Sequence, residues 1–228
     1  AEASLRRGVE HLLTMPEVGK ASGNTFYDIW THTYLVSALC RVVDDHRFSD
    51  YRKRIVAVIE REIEILRDRQ GLDGGWGYYD FEYILENPSG DQSTSFNTAA
   101  VLLALEEARA RGFDVDQRMV DDGIKAVERM RLPSGAYVYG TYAQYRPQAP
   151  YNMMKGSLGR SQPCNLSLHE LDREITLEQM QAGVEALRRD HHYIEIGRGR
   201  KIPHEAYYST SGYYYFFGHY YAGMVVEE

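Results

Sequence analysis

The stretch "QGLDGGWGYYDF" (70–81) is glycine and aromatic, and the stretch "STSFNTAAVLLALEEARARG" (93–112) beyond it is a smooth helix. Between them they decide the fold class. On the N-terminal side, "YRKRIVAVIEREIEILRDRQ" (51–70) puts Ile55, Ile59, Ile63 and Leu66 on one stripe and charges on the remainder, the pattern of a helix with one buried face. On the C-terminal side, "SFNTAAVLLALEEA" (95–108) is apolar nearly all round, so it is covered on all sides or lines an interior. A tryptophan among glycines thus joins two helices of different kinds.

The same alternation runs along the whole chain. One-sided helices are expected at "ASLRRGVEHLLTM", at 116–132 with Val120, Ile124, Val127 and Met130, and at 176–190 with Leu177, Met180, Val184 and Leu187. Thr176 is a fitting N-cap for the last of these. All-round helices are expected at 28–43, 95–108 and 210–226, with a shorter, more polar one at 161–171. Aligning "YLVSAL" (34–39) with "AVLLAL" (100–105) superposes two copies at an offset of 66 residues. The copies fall at 4–43, 50–110, 116–172 and 176–226. Helix pairs at such periods mark a repeat architecture. No stretch between the helices shows sustained strand alternation. The expectation is one all-α domain over residues 1–228, a ring-like array of about four helical hairpins.

Composition narrows the partners. With 26 basic against 33 acidic residues the net charge is −7, and the basic residues are scattered, so a nucleic-acid backbone is excluded as main partner. No apolar run reaches the length of a membrane span. Two cysteines, Cys40 and Cys164, exclude a disulfide framework and leave the compartment open. The chain starts "AEAS" without a methionine, as a processed extracytoplasmic chain or a piece cut from a longer one would, and its end at "GMVVEE" leads to the expectation of further hairpins or a further domain beyond it. Tyrosine is the anomaly: 19 against 7 Phe and 2 Trp, which points to half-wet aromatic surfaces.

"RQGLDGGWG" (69–77) resembles the glutamine–tryptophan repeat of terpenoid cyclases and the equivalent repeat of protein prenyltransferase β subunits. That family builds an α/α toroid. Its outer helices end near a Gln, a DGGW or DGGF loop follows, and an inner helix then lines a central cavity. "TSFNTAAVLLAL", "STSGYYYFFGHYYAG" and "DIWTHTYLVSAL" are similar to such inner helices. The resemblance implies that Gly74, Gly75 and Gly77 turn the backbone tightly with positive φ, and that Trp76 lies over the seam between hairpins with Gln70 beneath it. It is sharp only over Gln70 to Trp76. The later copies degrade the loop to "LPSGAYVYG" and "HHYIEIGRGR". The aspartate-rich DxDD motif of the protonating cyclases is missing, since "VVDDHRF" (42–48) lacks its spacing. The toroids of the family also close with more helix pairs than the four here, which implies an open or incomplete ring.

In a toroid the first residues of the inner helices meet at one rim. Here they are Asp28, Trp30, His32, Asn97, Thr98, Cys164, Asn165, Ser211 and Tyr213. Prenyltransferases hold zinc with an Asp, a Cys and a His at such positions, so the resemblance makes Asp28, His32 and Cys164 the candidate catalytic set, with zinc as its candidate metal. The order and spacing differ from the family's. The plain reading is Asp28 as an N-cap, His32 as a hydrogen-bonded rim residue and Cys164 as a small buried group. His32, one turn from Asp28, is the acid–base candidate because its ordinary pKa lies near neutrality. "MMKGSLGRSQPCN" (153–165), with Lys155 and Arg160, reads as an anion-holding loop or an ordinary one, with Pro163 in the first helical turn. The last inner helix forms an aromatic wall through Tyr213, Tyr214, Tyr215, Phe216, Phe217, Tyr220 and Tyr221, with His219 among them. Tyr79, Asp80 and Glu82 in the loop 78–92 lie near the same rim, where carboxylates serve acid–base work or are simply solvated.

Three functions stay open on these residues. The first is a ligand-binding or catalytic domain with an aromatic cleft for an isoprenoid-type small molecule, with Trp30, Tyr79, Asn97, Ser211, Tyr213, Tyr214 and His219 as binding residues. The second is a polysaccharide-lyase-like or glycan-binding domain. The third is a scaffold whose open end receives another domain.

Overall fold

The computed structural model describes residues 2–15, 28–78, 93–144, 146–173, 175–199, 208 and 212–227. Its helices are α1 (Glu2–Thr14), α2 (Asp28–Cys40), α3 (Arg52–Asp68), α4 (Ser95–Arg109), α5 (Gln117–Arg129), α6 (Met154–Glu170), α7 (Leu177–Arg189), the single turn α8 (His192–Glu195) and α9 (Gly212–Glu227). Among the described residues there is no strand. Two isolated bridges, Thr94 with Gly140 and Arg131 with Tyr137, tie loops together.

The one-sided helices are outer helices. In α3 the stripe Ile55, Ile59, Ile63 and Leu66 is buried, and in α5 Met119, Val120, Ile124 and Val127 are. Local signals set their ends. Asp116 accepts the Arg118 N–H at the start of α5, and Thr176 and Gln179 form a reciprocal capping box at the start of α7.

The all-round helices stand inside. They pack side by side in the order α2, α4, α6, α9, with α3 against α2 and α4, α5 against α4 and α6, and α7 against α6 and α9. Among the described residues this is an α/α toroid-like array of inner and outer helices, with α1 set against α3. Its axis is filled by rings. Phe96 of α4 meets Trp30, Tyr78, Tyr139, Tyr213, Tyr214 and Phe217, all with centroids within 6.2 Å. Such edge and offset contacts each add about 0.5–1.5 kcal/mol beyond burial.

Two expectations change. The inner helix of the third copy starts at Met154, not near residue 161, so Pro163 lies inside it and not in its first turn. Its polar residues Ser157, Arg160, Ser161, Gln162, Asn165 and Ser167 are buried with the apolar ones, because helices pack on every side. Its glycines serve close approach and not a turn: a Cβ on Gly156 would lie 2.4 Å from the Pro150 carbonyl oxygen. The helix α9, by contrast, is not covered all round, for Phe216 and Val226 are exposed.

α6 and α9 cross on two glycines. A Cβ on Gly218 would lie 2.6 Å from the Gly159 Cα, and one on Gly159 would lie 2.7 Å from the Tyr214 carbonyl oxygen. Backbone cannot rotate away as a side-chain tip can, so Gly218→Ala must push the helices apart. It is expected to destabilise by about 1–3 kcal/mol, the usual cost of overpacking, although alanine favours helix elsewhere. Thermal unfolding checks this, and an unchanged or raised midpoint would contradict the close crossing.

Candidate functional site

The glycine–tryptophan loop is a structural knot. Gly74 has φ +86°, the left-handed region, and a Cβ there would lie 2.6 Å from the Asp122 carbonyl oxygen. Gln70 Nε2 donates to the carbonyls of Gly74 and Met119, joining the loop to α5. Asp73 accepts from the Ser93 and Thr141 hydroxyls, linking loops of two copies. Trp76 is fully buried between α3, α4 and α5. Its backbone N–H donates to Thr98 Oγ1 at 2.9 Å, which is the role of that rim threonine.

Asp28 and His32 point away from the ring axis, toward α3. His32 Nδ1 lies 2.5 Å from Glu62 Oε2, and His32 Nε2 lies 3.5 Å from Asp28 Oδ2. Arg69 reaches the same Asp28 oxygen at 3.0 Å, and Arg61 reaches Glu62 Oε1 at 2.5 Å. Burial by itself would lower the His32 pKa. The two carboxylates outweigh it and push the pKa up to about 9. Burial likewise opposes ionisation of Asp28 and Glu62, but His32 with Arg69, and His32 with Arg61, bring both carboxyls below their ordinary values. At neutral pH the His32 ring is therefore a clamped imidazolium with no lone pair to accept a proton. Sequence reading put Glu62 on the charged face of α3, yet it is buried. The available signal was its position beside Ile59, Ile63 and Leu66.

Cys164 does not join His32. It lies in mid-α6 near Ser95, Arg160 and Tyr137, and burial raises its pKa well above the usual thiol value. Among the described residues no three His, Cys, Asp or Glu side chains converge as metal ligands. Of the set Asp28, His32 and Cys164, the structure brings the first two together and places Cys164 in another helix pair; the two carboxylates facing His32 lie on opposite edges of its ring. Of the two cations in the segment 153–165, one lies at the start of α6 and the other inside it. Lys155 donates to the Tyr193 hydroxyl at 3.0 Å. Arg160 is buried, with its guanidinium bonded to the carbonyls of Gly156, Tyr137 and Tyr151 and lying over the rings of Tyr139 and Tyr214. Asn165 accepts from the Tyr137 hydroxyl at 2.9 Å, and Asn97 is fully buried.

The aromatic residues do come together. Trp30 of α2 meets Tyr213 and Phe217 of α9 with centroids 5.6 and 5.8 Å apart. Tyr214 is buried against Phe96 and Arg160. Tyr213, Phe216 and Tyr220 keep 42%, 66% and 43% of their surface, so one face of α9 stays open. That face and α2 border a groove of about 770 Å³ lined by Tyr34, Ala38, Arg41, Val42, Phe216 and Tyr220, among others. Arg41 closes one end by reaching the Tyr220 hydroxyl at 3.3 Å and Glu107 at 3.2 Å. His219 is not in this groove; it faces His191. Tyr79, Asp80, Glu82 and Ser211 fall outside the described residues.

Fold and site together define an all-α, toroid-like helical domain with an aromatic cluster. Its architecture is similar to a solved structure of native alpha-2-macroglobulin from Escherichia coli, spanning domain MG7 to the C-terminus, at a TM-score of 0.54 and 12% identity. The match covers 98% of this chain and 31% of that one, so this chain spans about a third of its length, and at such identity the likeness shows the fold alone. No family model and no curated protein matches the sequence. No helix among the described residues is long and apolar enough to cross a membrane.

Proposed function

We propose that the chain is a binding domain that takes an elongated apolar molecule, of isoprenoid kind, in the groove between α2 and α9. The observation that carries this is the open aromatic face Tyr213, Phe216 and Tyr220 opposite Tyr34 and Val42. Contiguous exposed apolar surface on a charged protein marks an interaction site. The groove's volume falls within the range of about 300–1,000 Å³ usual for small-molecule sites. Arg41, already bonded to Glu107 and the Tyr220 hydroxyl, marks the polar end of the groove. The clamped state of His32 favours binding over proton transfer.

Trp30 makes the test direct, because it touches two residues of this wall while Trp76 is sealed in the core. Titration with farnesyl diphosphate or farnesol is expected to change tryptophan emission saturably. Phe216→Ala is expected to weaken binding about tenfold, the scale of a partly buried aromatic side chain. An oligosaccharide that binds where the prenyl compounds do not would replace this reading with the glycan one. Binding of neither would replace it with the scaffold.

A further inference from the structure

Away from the groove, His191, just before the turn α8, and His219 of α9 bring their ring nitrogens together. His191 Nε2 and His219 Nε2 are 3.1 Å apart, with ring planes at 80°. His219 Nδ1 lies 2.6 Å from the Tyr215 carbonyl oxygen. A carbonyl only accepts, so Nδ1 carries the proton, and the tautomer with its single proton there turns its Nε2 lone pair to His191. Metal-binding histidines are oriented this way, with the far N–H given to a carbonyl or carboxylate. Two nitrogens bound at 2.0–2.1 Å to one tetrahedral ion are separated by about 3.3 Å. The pair is already close to that separation.

We propose that His191 and His219 bind a late first-row divalent cation, zinc, copper or nickel, and that Glu195 completes the protein's share of the site. Imidazole nitrogens select such ions over magnesium or calcium. Glu195 Oε2 lies 3.9 Å from His191 Nε2, one helical turn on, and also pairs with exposed Arg198. No third ligand is converged in this structure; Glu195 reaches the ion by a rotamer change and water fills the remaining positions. In the metal-free pair His191 Nε2–H donates to His219 Nε2. Binding moves that proton to His191 Nδ1 through solvent, which frees both lone pairs with no net change in protonation. The Tyr215 ring, 5.7 Å from His191 and 4.4 Å from His219 by centroids, walls one side of the site. The ion would staple α8 to the inner helix that carries the aromatic face.

The test is calorimetric titration of metal-stripped protein with zinc chloride, with thermal unfolding in parallel. One equivalent is expected to bind and to raise the unfolding midpoint. His191→Gln and His219→Gln are each expected to weaken binding by about tenfold or more, the scale on which even supporting residues of metal sites act. Far-UV circular dichroism of the metal-free variants shows that they are folded. His46→Gln, at a side chain 95% exposed, is the control and is expected to leave binding unchanged. Zinc binding that survives both histidine substitutions of the pair, or no saturable binding below millimolar zinc by the folded wild type, would overturn the site. Glu195→Gln is expected to weaken binding less than either histidine substitution, and unchanged affinity would remove Glu195 from it.

Discussion

Trp76→Ala is expected to lower the free energy of unfolding by about 3–5 kcal/mol, the range for deleting a fully buried aromatic side chain. The indole has no exposed surface, and it packs against Leu102 of α4 and against Gly123 of α5 so closely that a Cβ on that glycine would meet the ring at 2.8 Å. Truncation opens a hole where three helices meet, and helices fixed by their other contacts collapse into it only in part. A polar term adds to this. Trp76 Nε1–H donates to the Leu66 carbonyl at 2.7 Å. Leu66 lies in the last turn of α3, where carbonyls lack an intrahelical partner, and the Gln70 N–H that would have served it turns to Arg67. The indole therefore caps the outer helix. Trp76→Phe keeps much of the volume and loses the donor, so its cost is expected to be smaller, about 1–3 kcal/mol. Urea denaturation of the two variants separates the terms. An alanine variant within about 0.5 kcal/mol of wild type, the spread of ordinary surface changes, would show that Trp76 is not the seam between hairpins.

The second large effect concerns pH. The His32 pKa is about 9 in the folded chain against an ordinary value of 6.5. A raised folded pKa stabilises fully below the unfolded value and loses that contribution as pH rises through the folded value. Stability is thus expected to fall between pH 6.5 and about 9, by an amount on the order of 3 kcal/mol. Asp28 and Glu62 have lowered pKa values, so their share is present above the ordinary carboxylate range and is lost as pH falls through it. The plateau lies between about pH 4.5 and 6.5. His32→Gln leaves two buried carboxylates each facing one cation fewer, which is expected to cost about 3–5 kcal/mol at pH 6 and to flatten the alkaline decline. Denaturant curves at pH 6 and pH 9 decide this. Equal wild-type stability at both, or a decline that persists in His32→Gln, would exclude the clamp as its source.

The sequence by itself determined whatever local physics controls. Stripes of apolar residues at helical spacing marked the outer helices. Thr176 and Gln179 marked the start of α7. The glycine–tryptophan loop marked its own turn at Gly74, which adopts a positive φ that side chains resist, whereas Gly75 and Gly77 do not, and Gly75 instead admits Ser93 and Thr98. Helices apolar on every side could be recognised as inner ones, but periodicity carries no information on which face meets which neighbour. Only the tertiary structure turned His32 toward Glu62, thirty residues on in a different helix, and turned Cys164 toward Tyr137. The early start of α6 was hidden for the same reason. Gly156, Gly159 and Pro163 read locally as a loop, whereas packing uses the two glycines to admit neighbouring backbone and surrounds the helix closely enough to hold the proline inside it. The facing of His191 and His219 had no sequence signal at all, since the contact depends on how the turn after α7 folds back on α9. Helix existence follows from short-range patterning; helix rotation, and with it every side-chain constellation described above, is set by burial against partners distant in sequence.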